Sequence, residues 1–211
     1  AIVLNLLFFH TGGKQGTQVS RAVGKSVSLQ QLNAASREEF VSALRPLFNN
    51  ETWPLELAWE SRPFGDVNEL RAAIQVAVLT ADDSRRAALI HDYPAMDELL
   101  LADADEAATI SADRGSLGLT DLDDVQTERI TELSAAYRER FDMPFVAYLD
   151  TNDTVDRVID AGVRRLANSP EQEYRTALGE IVEIANDRFD ILLADANPVR
   201  SSWDRKFTEV D

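Results

Sequence analysis

Apolar residues along most of this chain recur at spacings of three and four, the period of a helix that buries one face. Ser36 and Glu39 stand at capping-box spacing, and Phe40, Leu44 and Leu47 follow on one side of the helix they open. "WPLELAWE" predicts a short helix starting at or after Pro54. "DVNELRAAIQVAVLT" and "DDSRRAALI" predict two more, the second opened by Asp82, Asp83 or Ser84. In "TDLDDVQTERITELSAAYRERF" the stripe is Ile130, Leu133 and Tyr137, and "DTVDRVIDAGVRRLAN" is amphipathic in the same way. A last long helix is expected from Ser169, with Pro170 in its first turn, to about Asp195. Its predicted stripe is Tyr174, Leu178, Ile181, Ala185 and Leu192.

Two stretches depart from that period. "LLLADADEAATISADRGSLGL" reads as an acidic loop with short helical pieces, and "MPFVAYL" (Met143 to Leu149) reads as extended. One short extended segment does not make a sheet, so the predicted class is all-α: a compact multi-helix bundle in a single domain. The expected boundaries are an extra or flexible N-terminal segment at 1–27, the helical domain at 28–196, and a C-terminal tail at 197–211. "GGKQGT" within the first segment lacks the spacing and the strand-to-helix frame of a phosphate loop. "AIVLNLLFF" is shorter than the ~18 apolar residues of a membrane span and reads as an extra strand or helix, or a trimmed leader.

Composition narrows the chemistry. The 211 residues carry no cysteine and two histidines, His10 and His91, so thiolate sites are excluded and a histidine-rich metal centre is not expected. A formal charge of −16 opposes a nucleic-acid surface, because phosphate would be repelled. Of the 21 basic residues only Lys14, Lys25 and Lys206 are lysines. Acid excess with scarce lysine suits a protein that works in high salt, and a GC-rich genome would favour arginine too. Nucleic acid and membrane are therefore not expected partners, and the expected location is the cytoplasm.

Two places break the helical pattern in a chemically suggestive way. Arg188 lies 14 residues after Tyr174, about 40° from the centre of the predicted stripe at ~100° per residue. A guanidinium there must find an anion or a carbonyl, or reach past the core to water. It can serve a structural ion pair or a ligand carboxylate. Tyr93 precedes Pro94, which disfavours helix at residue 93 and stops the preceding helix around His91. His91 can then be a dipole partner at a helix end, or it can approach whatever Tyr93 faces.

Six blocks, in order, resemble the 2-oxo-4-hydroxy-4-carboxy-5-ureidoimidazoline decarboxylase family: "LNAASREEFVSALRPLFNNETW", "AWESRPF", "ALIHDYP", "GLTDLD", "LSAAYRERFDMPFV" and "RRLANSPEQEYRTALGEIVEIANDRF". They run from about Leu32 to Leu193. The resemblance implies an all-α, usually dimeric enzyme without a cofactor, which takes a small-molecule substrate of urate degradation to S-allantoin. It also implies a proton-transfer histidine in a His-Pro pair, a Ser-x-x-Glu-Gln motif, ring contacts from the backbone of a Pro-Phe-Ile/Val segment, and a binding arginine on the last helix.

Carried over residue by residue, Pro144, Phe145 and Val146 stand at the ring-contacting segment, and Arg188 stands at the binding arginine. Trp53, Arg62, Pro63 and Phe64 match as scaffold. The proton-transfer positions differ. Aligned on "ALI" and Pro94, Tyr93 occupies the histidine's place. Aligned on Gly118 and Leu119, Asp113 takes the glutamate, Arg114 the glutamine and Ile110 the serine; a one-residue gap would put Ser111 there instead. The implied candidates are Tyr93, His91 and Asp113 for proton transfer, and Arg188, Arg114, Phe145, Val146 and Pro94 for binding. Such a pocket could run the family reaction, act on another carboxylated ring, or be catalytically silent.

Overall fold

The structure is a computed structural model that describes residues 27–101, 122–149 and 153–193. Helices α1 (Leu29–Ala34) and α2 (Arg37–Leu44) open it, each under a capping box, Ser28 with Gln31 and Ser36 with Glu39. A 3-10 turn at Arg45–Leu47 follows, then α3 (Trp53–Glu60), α4 (Val67–Thr80) and α5 (Asp83–His91). Helix α3 starts one residue before the expected Pro54, which the first turn accommodates because its amides have no partner within the helix. Asp82 is the cap that opens α5, its carboxylate accepting from the Arg85 amide, which decides among the three candidates. Next come α6 (Met96–Leu101), α7 (Asp124–Phe141), α8 (Val155–Arg165) and α9 (Pro170–Leu192). Helix α6 extends into the stretch read as irregular. The all-α expectation holds: among the described residues no strand forms beyond a single parallel bridge between Val27 and Leu193.

The helices close around two cores. The first, formed with α2, α3, α4, α5 and α9, includes Phe40, Leu44, Leu55, Leu70, Leu89, Ile90, Ile181 and Phe189. The second joins α6, α7 and α8 through Met96, Ile130, Leu133, Tyr137, Phe145 and Ile159. Phe141 packs against both. The stretch after α7 links them as an extended chain would: Phe145, Ala147 and Leu149 pack on the second core and Val146 on the first. Gly162 lets α8 approach closely, because a Cβ there would meet Leu133 and lie 2.9 Å from Phe145 Cζ.

The long helix α9 packs on the first core through a stripe that shares Leu178, Ile181 and Ala185 with the expected one but not Tyr174 or Leu192. Its buried residues are Glu173, Ala177, Leu178, Ile181, Ala185 and Phe189. Tyr174 and Leu192 are only half-buried. The chain steps by four along Glu173, Ala177, Ile181, Ala185 and Phe189, so the true stripe starts on a carboxylate. The matched scaffold residues also earn their positions. Arg62 donates to the carbonyls of Leu32, Asn33 and Ala35, satisfying acceptors at the end of α1, and lies 4.3 Å from the Trp59 ring centroid. Asn33 pairs with the Phe64 backbone in both directions, at 2.8 and 2.9 Å. The segments expected at 1–27 and 197–211 lie outside the described residues, Val27 excepted.

Candidate functional site

Helix α5 ends at His91 because Pro94 follows, as the sequence predicts; Asp92 is its C-cap. The end of α5 separates the two aromatic candidates. His91 is exposed, at the negative end of the helix dipole. Tyr93 is buried at 6% exposure and belongs to the first core. Pro94 is half-buried beside it.

Arg188 comes to this same region from α9. Its Nη1 donates to the Leu47 carbonyl at 3.4 Å and to Asn49 Oδ1 at 3.3 Å. Both acceptors are neutral, and both bonds are at the long, weak end of the usual range. Asn49 in turn donates from Nδ2 to the Asp92 carbonyl at 3.3 Å. Asn50 grips the Asp92 carboxylate with its backbone amide and its side chain, both at 2.7 Å. One asparagine therefore bridges the terminal-helix cation and the residue just before Tyr93. Arg188 is half-buried.

The Pro-Phe-Val segment is fixed by another arginine. Phe145 is fully buried, its ring 4.8 Å from that of Tyr137, so its side chain is committed to the core and only its backbone can meet a ligand. Arg165, at the end of α8, donates from Nη1 to the Val146 carbonyl at 3.0 Å and sits 5.0 Å from the Phe145 ring centroid. The same guanidinium donates from Nε and Nη2 to Glu173 Oε1 at 2.9 and 2.5 Å. The Tyr137 hydroxyl donates to that oxygen at 3.2 Å, and Asn168 Nδ2 to Oε2 at 2.7 Å. Glu173 is wholly buried, so four donors are what make its charge tolerable there. Burial pushes the Tyr137 hydroxyl well above the usual range; the Glu173 carboxylate adds to this and Arg165 opposes it.

Of the expected residues, Arg188 is thus joined through Asn49 to Asp92, which Tyr93 and Pro94 follow in the chain. Phe145 and Val146 are held by Arg165, while Asp113 and Arg114 lie outside the described residues. A crevice of about 10 Å³ between α4 and α9, lined by Leu47, Ile74, Val78 and Phe189 among others, has room for roughly one water. A shallow groove lies between α2 and α3 at Arg37, Val41, Arg45 and Glu56. Neither includes Tyr93 or Arg188. Sequence reasoning missed Asn49, Arg165 and Glu173. A carboxylate at the head of a four-residue apolar repeat was a usable signal for Glu173; the other two had none. No group of His, Cys, Asp and Glu that could hold a metal forms among the described residues.

The fold is that of an all-α domain whose last helix is joined to the end of α5 through Asn49. Residues 33–190 match the family model described as OHCU decarboxylase, and the chain belongs to that family. It is 37% identical over 164 residues to a 2-oxo-4-hydroxy-4-carboxy-5-ureidoimidazoline decarboxylase of Haloferax volcanii, covering 77% of this chain and 94% of the relative. A mouse (Mus musculus) protein of the same name is 32% identical over 181 residues, with 82% and 98% covered. In fold the chain resembles a crystal structure of (S)-allantoin synthase, with a TM-score of 0.61 and 22% identity; the match covers 79% of this chain and 54% of that one.

Proposed function

We propose that this chain is a cofactor-free carboxy-lyase of urate degradation that converts 2-oxo-4-hydroxy-4-carboxy-5-ureidoimidazoline to S-allantoin. The relatives that carry that name support the substrate, and the Arg188–Asn49–Asp92 bridge is the observation that supports the site. Breaking the bond to the carboxylate releases carbon dioxide and leaves its electron pair in the imidazoline ring. The substrate is thus its own electron sink. The protein has to orient the carboxylate out of the ring plane, stabilise the anion that develops, and add a proton to one face.

In this reading Arg188 binds the substrate, its long bonds to neutral oxygens being ones a stronger acceptor can displace. The Tyr93 hydroxyl supplies the proton; a tyrosine is protonated at neutral pH but is a poor base. The backbone of Phe145 and Val146 meets the ring and Pro94 closes one side. By resemblance Asp113 assists proton transfer and Arg114 holds an anionic group, while His91 serves at the rim. Arg114 beside a departing carboxylate would also stabilise the ground state, which makes the expected turnover slow.

The decisive experiment supplies enzymatically generated precursor to the chain and follows optically active allantoin by circular dichroism. Formation of S-allantoin faster than the spontaneous, racemising reaction is expected; a rate equal to buffer alone would falsify the assignment. A homodimer in the cytoplasm completes the reading, and a single monomer mass in sedimentation at micromolar concentration would remove the dimer. No described helix is long and apolar enough to cross a membrane.

A further inference from the structure

We propose that Arg165 and Glu180 are positioning residues for the reaction, acting together to set the peptide planes of residues 145–148. The inference rests on the reading above that this backbone meets the substrate ring.

Residues 144–149 are not helical, and no strand pairs with them among the described residues. Their amides and carbonyls therefore need partners from side chains, or from water where they are exposed. Two are met by side chains from helices on either side of the α8–α9 turn. The Val146 carbonyl accepts from Arg165 Nη1 at 3.0 Å. The Tyr148 amide donates to Glu180 Oε2 at 2.7 Å. The two clamps are themselves joined, since Arg165 Nη1 also lies 3.4 Å from Glu180 Oε1.

Geometry makes this more than a pair of separate caps. The guanidinium is planar, and its remaining donors are anchored on the buried Glu173 carboxylate, so its plane cannot turn freely. Its carbon lies 5.0 Å from the Phe145 ring centroid. One rigid cation thus contacts the ring of residue 145 and the carbonyl of residue 146, and reaches residue 148 through Glu180. Rotation about any backbone bond between those points would have to break a contact. The backbone groups of the segment that remain are held in one orientation before a ligand arrives, which lowers the reorganisation required in the transition state.

A charged network of this kind could serve stability alone. Glu173 and Tyr137, deep in the interior, fit that role, because an unpaired buried carboxylate is strongly destabilising. Glu180 is different. Its side chain is 27% exposed, its removal leaves Arg165 still paired with Glu173, and the Tyr148 amide is the backbone group it holds. A structural role for Glu180 would appear in melting temperature; a positioning role appears in kcat.

The test compares the full-length chain with Glu180→Ala, Glu180→Gln and Arg165→Lys, measuring kcat and KM for the ureidoimidazoline and the Tm of each. Glu180→Ala is expected to lower kcat about 10- to 100-fold, with little change in KM. Glu180→Gln should recover most of that loss, because an amide oxygen still accepts from the Tyr148 amide. Arg165→Lys keeps a cation beside Glu173 but cannot reach Glu173, Val146 and Glu180 together, so it should repeat the kcat defect. It also decides the matter if the alanine variant does not fold. An active wild type whose folded variants keep its kcat, or an alanine defect that glutamine does not recover, overturns the inference. A wild-type chain with no activity overturns the decarboxylase reading first, and this inference with it.

Discussion

Asn49 Oδ1 accepts a hydrogen bond from Arg188 Nη1 at 3.3 Å, joining the loop after the 3-10 turn to a helix 139 residues further along the chain. The other half of the same amide donates to the Asp92 carbonyl, so the flip state of Asn49 is set by partners of opposite kind. Asn49→Asp places a carboxylate against the guanidinium, and an internal ion pair then competes with the substrate. KM is expected to rise by about tenfold or more, the worth of one charge-assisted hydrogen bond, while Asn49→Ala raises it less. Steady-state kinetics of both variants check this, and equal KM values would remove the competition argument.

Tyr93 and His91 make different predictions although they are two residues apart. If the buried hydroxyl delivers the proton, Tyr93→Phe should lower kcat by roughly 100-fold or more, whereas His91→Ala, at an exposed helix end, should stay within about twofold. The reverse ranking would transfer the role to the histidine.

Gly162→Ala should destabilise the fold. The new methyl group would meet Leu133 and the Phe145 ring, both in the second core. Overpacking of this kind costs about 1–3 kcal/mol. A chain of this size should then melt several degrees lower, at ~2–4 °C per kcal/mol. A calorimetric Tm equal to wild type would show that α8 can move aside.

Alkali should weaken the protein through Tyr137. Its hydroxyl is held above the usual tyrosine range, chiefly by burial, so the folded state keeps a proton that the unfolded chain releases. The stabilisation is complete below the unfolded value near 10 and is lost as pH rises above it. Tyr137→Phe should flatten that alkaline slope, and should also lower stability at neutral pH by removing one donor from Glu173. Urea midpoints from pH 8 to 11 measure both effects; an unchanged slope would exclude Tyr137 as its source.

Salt should stabilise the chain. At a formal charge of −16 the folded state repels itself, and at about 1 M salt the screening length falls to about 3 Å. Tm is expected to be higher in molar KCl than in dilute buffer. A Tm independent of KCl would remove the high-salt interpretation of the acidic composition.

The sequence alone determined the parts of this protein that depend on neighbours along the chain. Ser36 with Glu39 and Ser169 mark where helices start, because a cap needs only its own first turn, and the start of α5 was narrowed to Asp82, Asp83 or Ser84. Pro94 ended α5 for an equally local reason, and the spacing of Ile130, Leu133 and Tyr137 marked a face that is buried. Arg188 stood out because a cation close to an apolar stripe is anomalous at any helix position. Only the tertiary structure decided what such groups meet. Asn49 reaches Arg188 across 139 residues, and Arg165 takes a carbonyl and a ring from one segment and a buried carboxylate from another. Helical period fixes the direction in which a side chain points, but its partner is set by how helices from distant parts of the chain pack. That is why several helix starts could be read in advance and the clamps on the candidate site could not.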